Sequence, residues 1–179
     1  MAIIKPNNNT ISAITALPAA ITTGKVLQVL STAKTGGFST TSSSLTDITG
    51  LSVAITPSSS SNKIFITAYI NGLVDASSGA YGGRYQLVRG STEIAKADAS
   101  GSKQLGTGSP GGFDGNPFTA NTTINFLDSP SSTSELTYKI QVAHTQSKTI
   151  RVNEAKGNPN DSTYGLKMIS TITAYEIAG

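Results

Sequence analysis

The chain has 179 residues, of which 37% are hydrophobic and only 13% charged; its net charge is +3 and it carries neither cysteine nor tryptophan. That length supports one domain with its own core, and the absent cysteines exclude a disulfide scaffold and a thiolate metal site. The basic residues are scattered singly from Lys5 to Lys167, so the clustered cations needed for binding nucleic acid are missing.

Residues 1–23 differ from the remainder of the chain. Ile3-Ile4 runs at once into Lys5-Pro6 and Asn7-Asn8-Asn9, which leaves no apolar core for a signal peptide. No window approaches the ~18 apolar residues of a membrane span, so synthesis in a cytoplasm and no membrane partner are expected. The stretch reads as an extended arm. Ile3, Ile4, Ile11, Ile14, Leu17 and Ile21 make it too apolar for a solvated tail. It is expected to dock on a neighbouring subunit, with Ile3, Ile4, Ile11, Ile14 and Leu17 as anchors, leaving residues 24–179 as the folded domain.

Beyond the arm, runs of β-branched and aromatic residues recur between Gly, Ser, Asn and Pro, and helical periodicity is nearly absent. Strands are predicted near residues 25–33, 45–56, 63–71, 83–89, 92–97, 122–127, 136–145, 149–153 and 166–177. This spacing points to an all-β sandwich or barrel, and an antiparallel sandwich is the expectation. Arg89-Gly90-Ser91-Thr92 predicts a tight hairpin in which Gly90 supplies a positive φ. Residues 99–121 and 154–165 read as long irregular connections.

The faces of these strands differ. Leu136, Tyr138, Ile140, Val142 and His144 alternate with Thr137, Lys139, Gln141 and Ala143, giving one buried and one wet face. In 64–70, by contrast, Ile64, Ile66, Ala68 and Ile70 alternate with Phe65, Thr67 and Tyr69, and 166–177 is apolar on both parities through Leu166, Met168, Ile172 and Ile169, Tyr175, Ile177. A two-layer sandwich buries one face per strand. The second face, carrying Phe65, Tyr69 and Tyr175, is therefore expected to meet another subunit or the docked arm.

No constellation of catalytic or ligand-binding residues emerges. Gly106-Thr107-Gly108-Ser109-Pro110-Gly111 matches G-x-G-x-x-G, yet no helix pattern comes after it to receive a phosphate. His144 is the one histidine; at the end of an apolar strand face it reads as a hydrogen-bonded rim or interface residue rather than a general base. The aspartates fall in or near turns, where local hydrogen bonding explains them, and Asp114-Gly115-Asn116 lacks the further oxygens a calcium site needs. Tyr85 and Leu87 are expected in the core and Arg84 towards water. Candidate outward binding positions are Arg84, Phe113, Asp114, Asn116, Asn160 and Tyr164. No catalytic residue, cofactor or metal is expected, and the chain reads as a non-enzyme.

Four segments carry a resemblance: GKVLQVLSTAKTGGFSTTSSSLTDITGLSVAITPSSSSNKIFI (24–66), RYQLVRGSTEIA (84–95), FLDSPSSTSELTYKIQV (126–142) and STITAYEIAG (170–179). In this order they resemble virion structural and tail-fibre-like proteins of tailed bacteriophages from marine and freshwater hosts. The resemblance implies a trimeric jelly-roll head of the tumour-necrosis-factor-like kind, and transfers no catalytic residue. Fibres of this kind place a coiled coil or collagen-like shaft before the head; residues 1–23 show neither heptads nor a G-X-Y period. The expectation is therefore a homotrimeric capsid decoration or cement protein on the virion exterior, anchored by the arm to other virion proteins. The alternative is a short tail fibre or receptor-binding head reading host surface glycan through 99–121 or 154–165. A polysaccharide depolymerase ranks last.

Overall fold

A computed structural model describes residues 25–75, 82–110, 120–144, 146, 148–156, 160 and 165–179. Among these residues ten strands occur in chain order: β1 (Val26–Lys34), β2 (Phe38–Thr40), β3 (Thr46–Ile55), β4 (Lys63–Asp75), β5 (Gly83–Arg89), β6 (Thr92–Ile94), β7 (Ala120–Asp128), β8 (Leu136–His144), β9 (Thr149–Val152) and β10 (Ser170–Ile177). Every ladder between them is antiparallel. The domain boundary at residue 23 and the anchor residues Ile3, Ile4, Ile11, Ile14 and Leu17 lie outside the described residues, as do Phe113, Asp114, Asn116 and Tyr164.

The strands form two sheets. In the first, Ile66 pairs with Ala174 of β10 and with Phe126 of β7, so these strands flank β4 on opposite sides. Gly72 pairs with Ala120 of β7 and with Val152 of β9, which puts β9 on the β10 side. Strands β9 and β10 thus fill one row in succession, as do β1 and β2 beside them. The rows run β1/β2, β10/β9, β4, β7. The second sheet runs β3, β8, β5, β6. Every connection between rows crosses from one sheet to the other, except the β5–β6 hairpin. That is an eight-row jelly roll, and it meets the all-β sandwich expectation.

Alternation along each strand builds the core. Ile64, Ile66, Ala68 and Ile70 of β4 point inward with Ile172 and Ala174 of β10, facing Val53, Ile55, Tyr85, Leu87, Tyr138, Ile140 and Val142 of the second sheet. Gly90 has φ 60°, as the predicted hairpin requires. The structure departs from the predicted bounds where one row is spliced from two strands. Strand β4 runs on to Asp75 because β9 takes over from β10 as its partner, and β10 begins only at Ser170 because Glu154 and Ala155 leave the row and pair with Leu166 and Lys167 instead. A buried polar node closes the gap. Ser170 Oγ donates to Asn153 Oδ1 at 2.6 Å, the Asn71 N–H donates to Ser170 Oγ at 3.0 Å, and Asn153 Nδ2 donates to the Lys34 carbonyl at 2.7 Å. Strand β2 falls between the predicted strands 25–33 and 45–56, and its Phe38 packs on the core.

The two ends of the sandwich differ. At one end lie Val26, Ile177, Lys63, Asp128, Ile55, Leu136 and Arg89, with the connections 56–62, 90–91 and 129–135 and the carboxy-terminal Gly179. Residue 25 enters at this end too. From the opposite end leave the connections 41–45, 76–82, 95–119 and 145–148.

Candidate functional site

The two outer faces of the sandwich differ in chemistry. On the second sheet, Ser52, Thr137, Lys139 and Gln141 face outward, and Asp47 accepts hydrogen bonds from Lys139 Nζ at 2.8 Å and Gln141 Nε2 at 2.7 Å. The Lys139 ammonium holds the Asp47 carboxyl below the usual carboxylate range, with Gln141 adding to the effect. A shallow hollow of about 340 Å³ opens here, where β3 bulges between Asp47 and Ser52. Its charges are already paired, so it offers no convergent set for a ligand.

The first sheet is different. Register places Val29 opposite Tyr175, Tyr175 opposite Phe65, and Phe65 opposite Leu127. All four share the outward parity, so one apolar row crosses all four strand rows, about 14 Å at the usual strand spacing. Val29 is 51% exposed and Leu127 47%. The rings of Phe65 and Tyr175 pack with centroids 6.0 Å apart at 41°. Val26 and Ile177 extend the patch at the end where residue 25 enters. The next outward row is polar (Ser31, Thr173, Thr67, Asn125), and Tyr69, 41% exposed, stands in the row beyond. Among the described residues, no exposed large apolar side chain lies on the second sheet.

The structure thus brings Phe65, Tyr69 and Tyr175 onto one face. Val29 and Leu127 complete the row and were not foreseen. Both lie in predicted strands, but only the register of four non-consecutive strands shows them in line.

Two buried groups have structural work. Glu176 of β10 points inward and is 1% exposed. It accepts hydrogen bonds from Gln28 Nε2 (2.7 Å), the Ser58 N–H (2.6 Å), Ser58 Oγ (2.8 Å) and Asn62 Nδ2 (2.5 Å). Burial alone would raise its pKa; the donors of Asn62, Gln28 and Ser58 outweigh it and hold the carboxyl at about 2. The acid therefore ties the β1 and β10 rows to the 56–62 connection. Asp128 makes a second tie, accepting from Tyr138 Oη at 2.6 Å and Arg89 Nη1 at 2.7 Å across the two sheets.

His144 is not the rim residue expected from its place at a strand end. It is fully buried, because β8 ends beside the start of β5 and under residue 42: the His144 N–H donates to the Ser42 carbonyl at 2.9 Å. Nδ1 accepts the N–H groups of Gln146 at 2.8 Å and Lys148 at 3.1 Å. Burial lowers its pKa, with the Lys148 charge adding to the shift. Tyr85 and Leu87 are in the core as expected. Arg84 lies on β5, as the predicted strand 83–89 has it, but is half-buried, and its guanidinium bonds Gln104. Asn160 is exposed, in a turn. Among the described residues no group of three or more His, Asp or Glu could hold a metal ion.

No protein-family profile matches this chain, and no curated protein matches it. Among solved structures it is similar to the VP2 subviral particle of infectious bursal disease virus, at 14% identity and a TM-score of 0.40. The match covers 84% of this chain and 39% of the other, so this chain corresponds to about two fifths of that protein's length.

Proposed function

We propose that this protein is a non-enzymatic virion structural protein of a tailed bacteriophage, a homotrimer that decorates the capsid exterior and is held by its N-terminal segment. The observation that carries the reading is the outward apolar row Val29, Tyr175, Phe65 and Leu127. Soluble monomers rarely leave a continuous apolar stripe open, whereas subunit interfaces are built from one. Its restriction to one sheet gives each subunit a single associating face, with the Asp47–Lys139 face left for water. Polarity supports the anchoring role: residue 25 enters at the end opposite the one where the longest connection, 95–119, joins β7 at Ala120. The segment resemblance supplies the phage context.

Light scattering tests the assembly. The protein should run as a trimer at micromolar concentration, and Phe65→Asp, at a half-buried outward position, should give folded monomers. A wild-type protein that is monomeric at that concentration overturns the reading. The 25 residues of the 95–119 connection, leaving beside 76–82 and 145–148, favour a second reading as a receptor-binding head. Glycan-array binding would select it, and release of reducing sugar would reveal an enzyme instead.

A further inference from the structure

Strand β1 has nine residues and, among the described residues, is laddered on one side only, to β10. A free edge of that length is a template for another strand unless it is blunted. The other edges are short, broken or crossed. Strand β6 has three residues. Strand β3 bulges between Asp47 and Ser52, with Gly50 at φ 81°. Beside β7, the Ser109 carbonyl takes the Thr122 hydroxyl at 2.7 Å. Strand β1 carries no proline and no charge before Lys34; its one irregularity is the bulge at Leu27. Leu27 is 41% exposed and Leu30, although of inward parity, is 39% exposed at the open edge.

We infer that the free edge of β1 accepts one extended strand, residues 10–17 of a second copy of this chain, so that neighbouring subunits exchange N-terminal segments. This rests on the subunit assembly proposed above and names the surface that the segment meets. Residues 10–17 (TISAITAL) are one residue shorter than β1 and carry no charge, proline or glycine. Paired with β1 they would satisfy its open N–H and C=O groups and cover Leu27 and Leu30, the recognition mode of strand addition.

The assembly proposed above makes the donor another copy, and a tight return within one chain is unfavourable. The Ala178 N–H donates to the Lys25 carbonyl at 2.9 Å, so residue 25 still runs along the line of β10. A tight turn at residues 23–24 would return the same chain with Pro18 opposite the middle of β1, where the ladder needs an N–H. The seven residues 18–24, by contrast, span up to about 23–25 Å when extended, enough to reach a neighbour.

Two measurements test this. Hydrogen exchange in the 26–34 peptide should quicken at least tenfold when residues 2–22 are deleted, with the 170–177 peptide changing less; equal rates in the two proteins overturn the inference. The chain has no cysteine, so Ile14→Cys combined with Leu30→Cys reports the donor directly. Non-reducing gels should show disulfide-linked multimers that dissolve with reductant. A link within single chains, or no link from either Ile14→Cys or Ile11→Cys, overturns the exchange. The assembly reading fails separately, in the light scattering of the unsubstituted protein.

Discussion

Replacing Glu176 by Gln removes the charge from a carboxylate that is 1% exposed and collects four hydrogen bonds. The native carboxyl sits at about 2 against an ordinary 4.5. That difference corresponds to roughly 3 kcal/mol of stabilisation of the charged form. Ser58, one of the donors, is itself exposed, so nearby solvent trims the share that reaches stability to about 1–2 kcal/mol. The lowered pKa sets the sign. The unfolded chain takes up its proton near 4.5 and the folded chain only near 2, so the contribution is complete above 4.5 and is lost as pH falls through that interval. Urea unfolding of both proteins at about pH 7 and about pH 2.5 measures it. Glu176→Gln should be less stable by the stated amount at neutral pH, and most of that gap should close in acid. A gap of equal size at both pH values would mean that the charge is not what the donors hold, and would refute the account.

His144 should add an earlier acid step. Its pKa is lowered by burial, so the folded form resists a proton that the unfolded form takes near 6.5; stability should begin to fall as pH drops below that value, and His144→Gln should erase this first step in a thermal-melt series. Gly72→Ala should destabilise by more than about 3 kcal/mol in chemical denaturation, because the new Cβ would fall on the Tyr85 hydroxyl and lie 3.2 Å from the Arg151 carbonyl. The Tyr85 hydroxyl is buried without a hydrogen-bond partner among the described residues, so Tyr85→Phe should cost under about 1 kcal/mol alone and recover part of the Gly72→Ala loss. Tyr138→Phe should cost about 1–2 kcal/mol by removing one donor from Asp128 while Arg89 stays. Adding EDTA should leave the Tm unchanged; a drop of several degrees would reveal a bound metal.

Much of the sandwich was legible because alternation is local. Ile64 to Ile70 and Leu136 to Val142 declare their inward parity in the sequence itself, and Gly90 declares its turn. The outward apolar positions of 64–70 were legible in the same way. Register was not, because it depends on which strands end up adjacent. Val29, Tyr175, Phe65 and Leu127 lie far apart in the chain, and nothing local to Leu127 marks it as the end of a row. The splice between β9 and β10 was hidden for a related reason. Asn153 and Ser170 look like ordinary loop residues until the fold sets them beside Asn71. His144 misled because a strand end is usually a rim, and here Ser42, the start of β5 and the Gln146 and Lys148 amides close over it.

That splice also separates architecture from variation. Glu154 and Ala155 leave a row that closes behind them, and the neck is laddered by the Glu154–Lys167 bridge, the Ala155 N–H on the Leu166 carbonyl at 3.0 Å and the Met168 N–H on the Asn153 carbonyl at 3.0 Å. Beyond the neck, chain can be lengthened, shortened or exchanged without moving a register elsewhere, since loop closure costs grow only slowly with length. In evolutionary terms this is a cassette: a lineage could change the chain between Ala155 and Leu166 while keeping the same sheets. For an engineer it is the natural place to graft a foreign peptide, with the Asn71, Asn153 and Ser170 node left intact as the graft's frame.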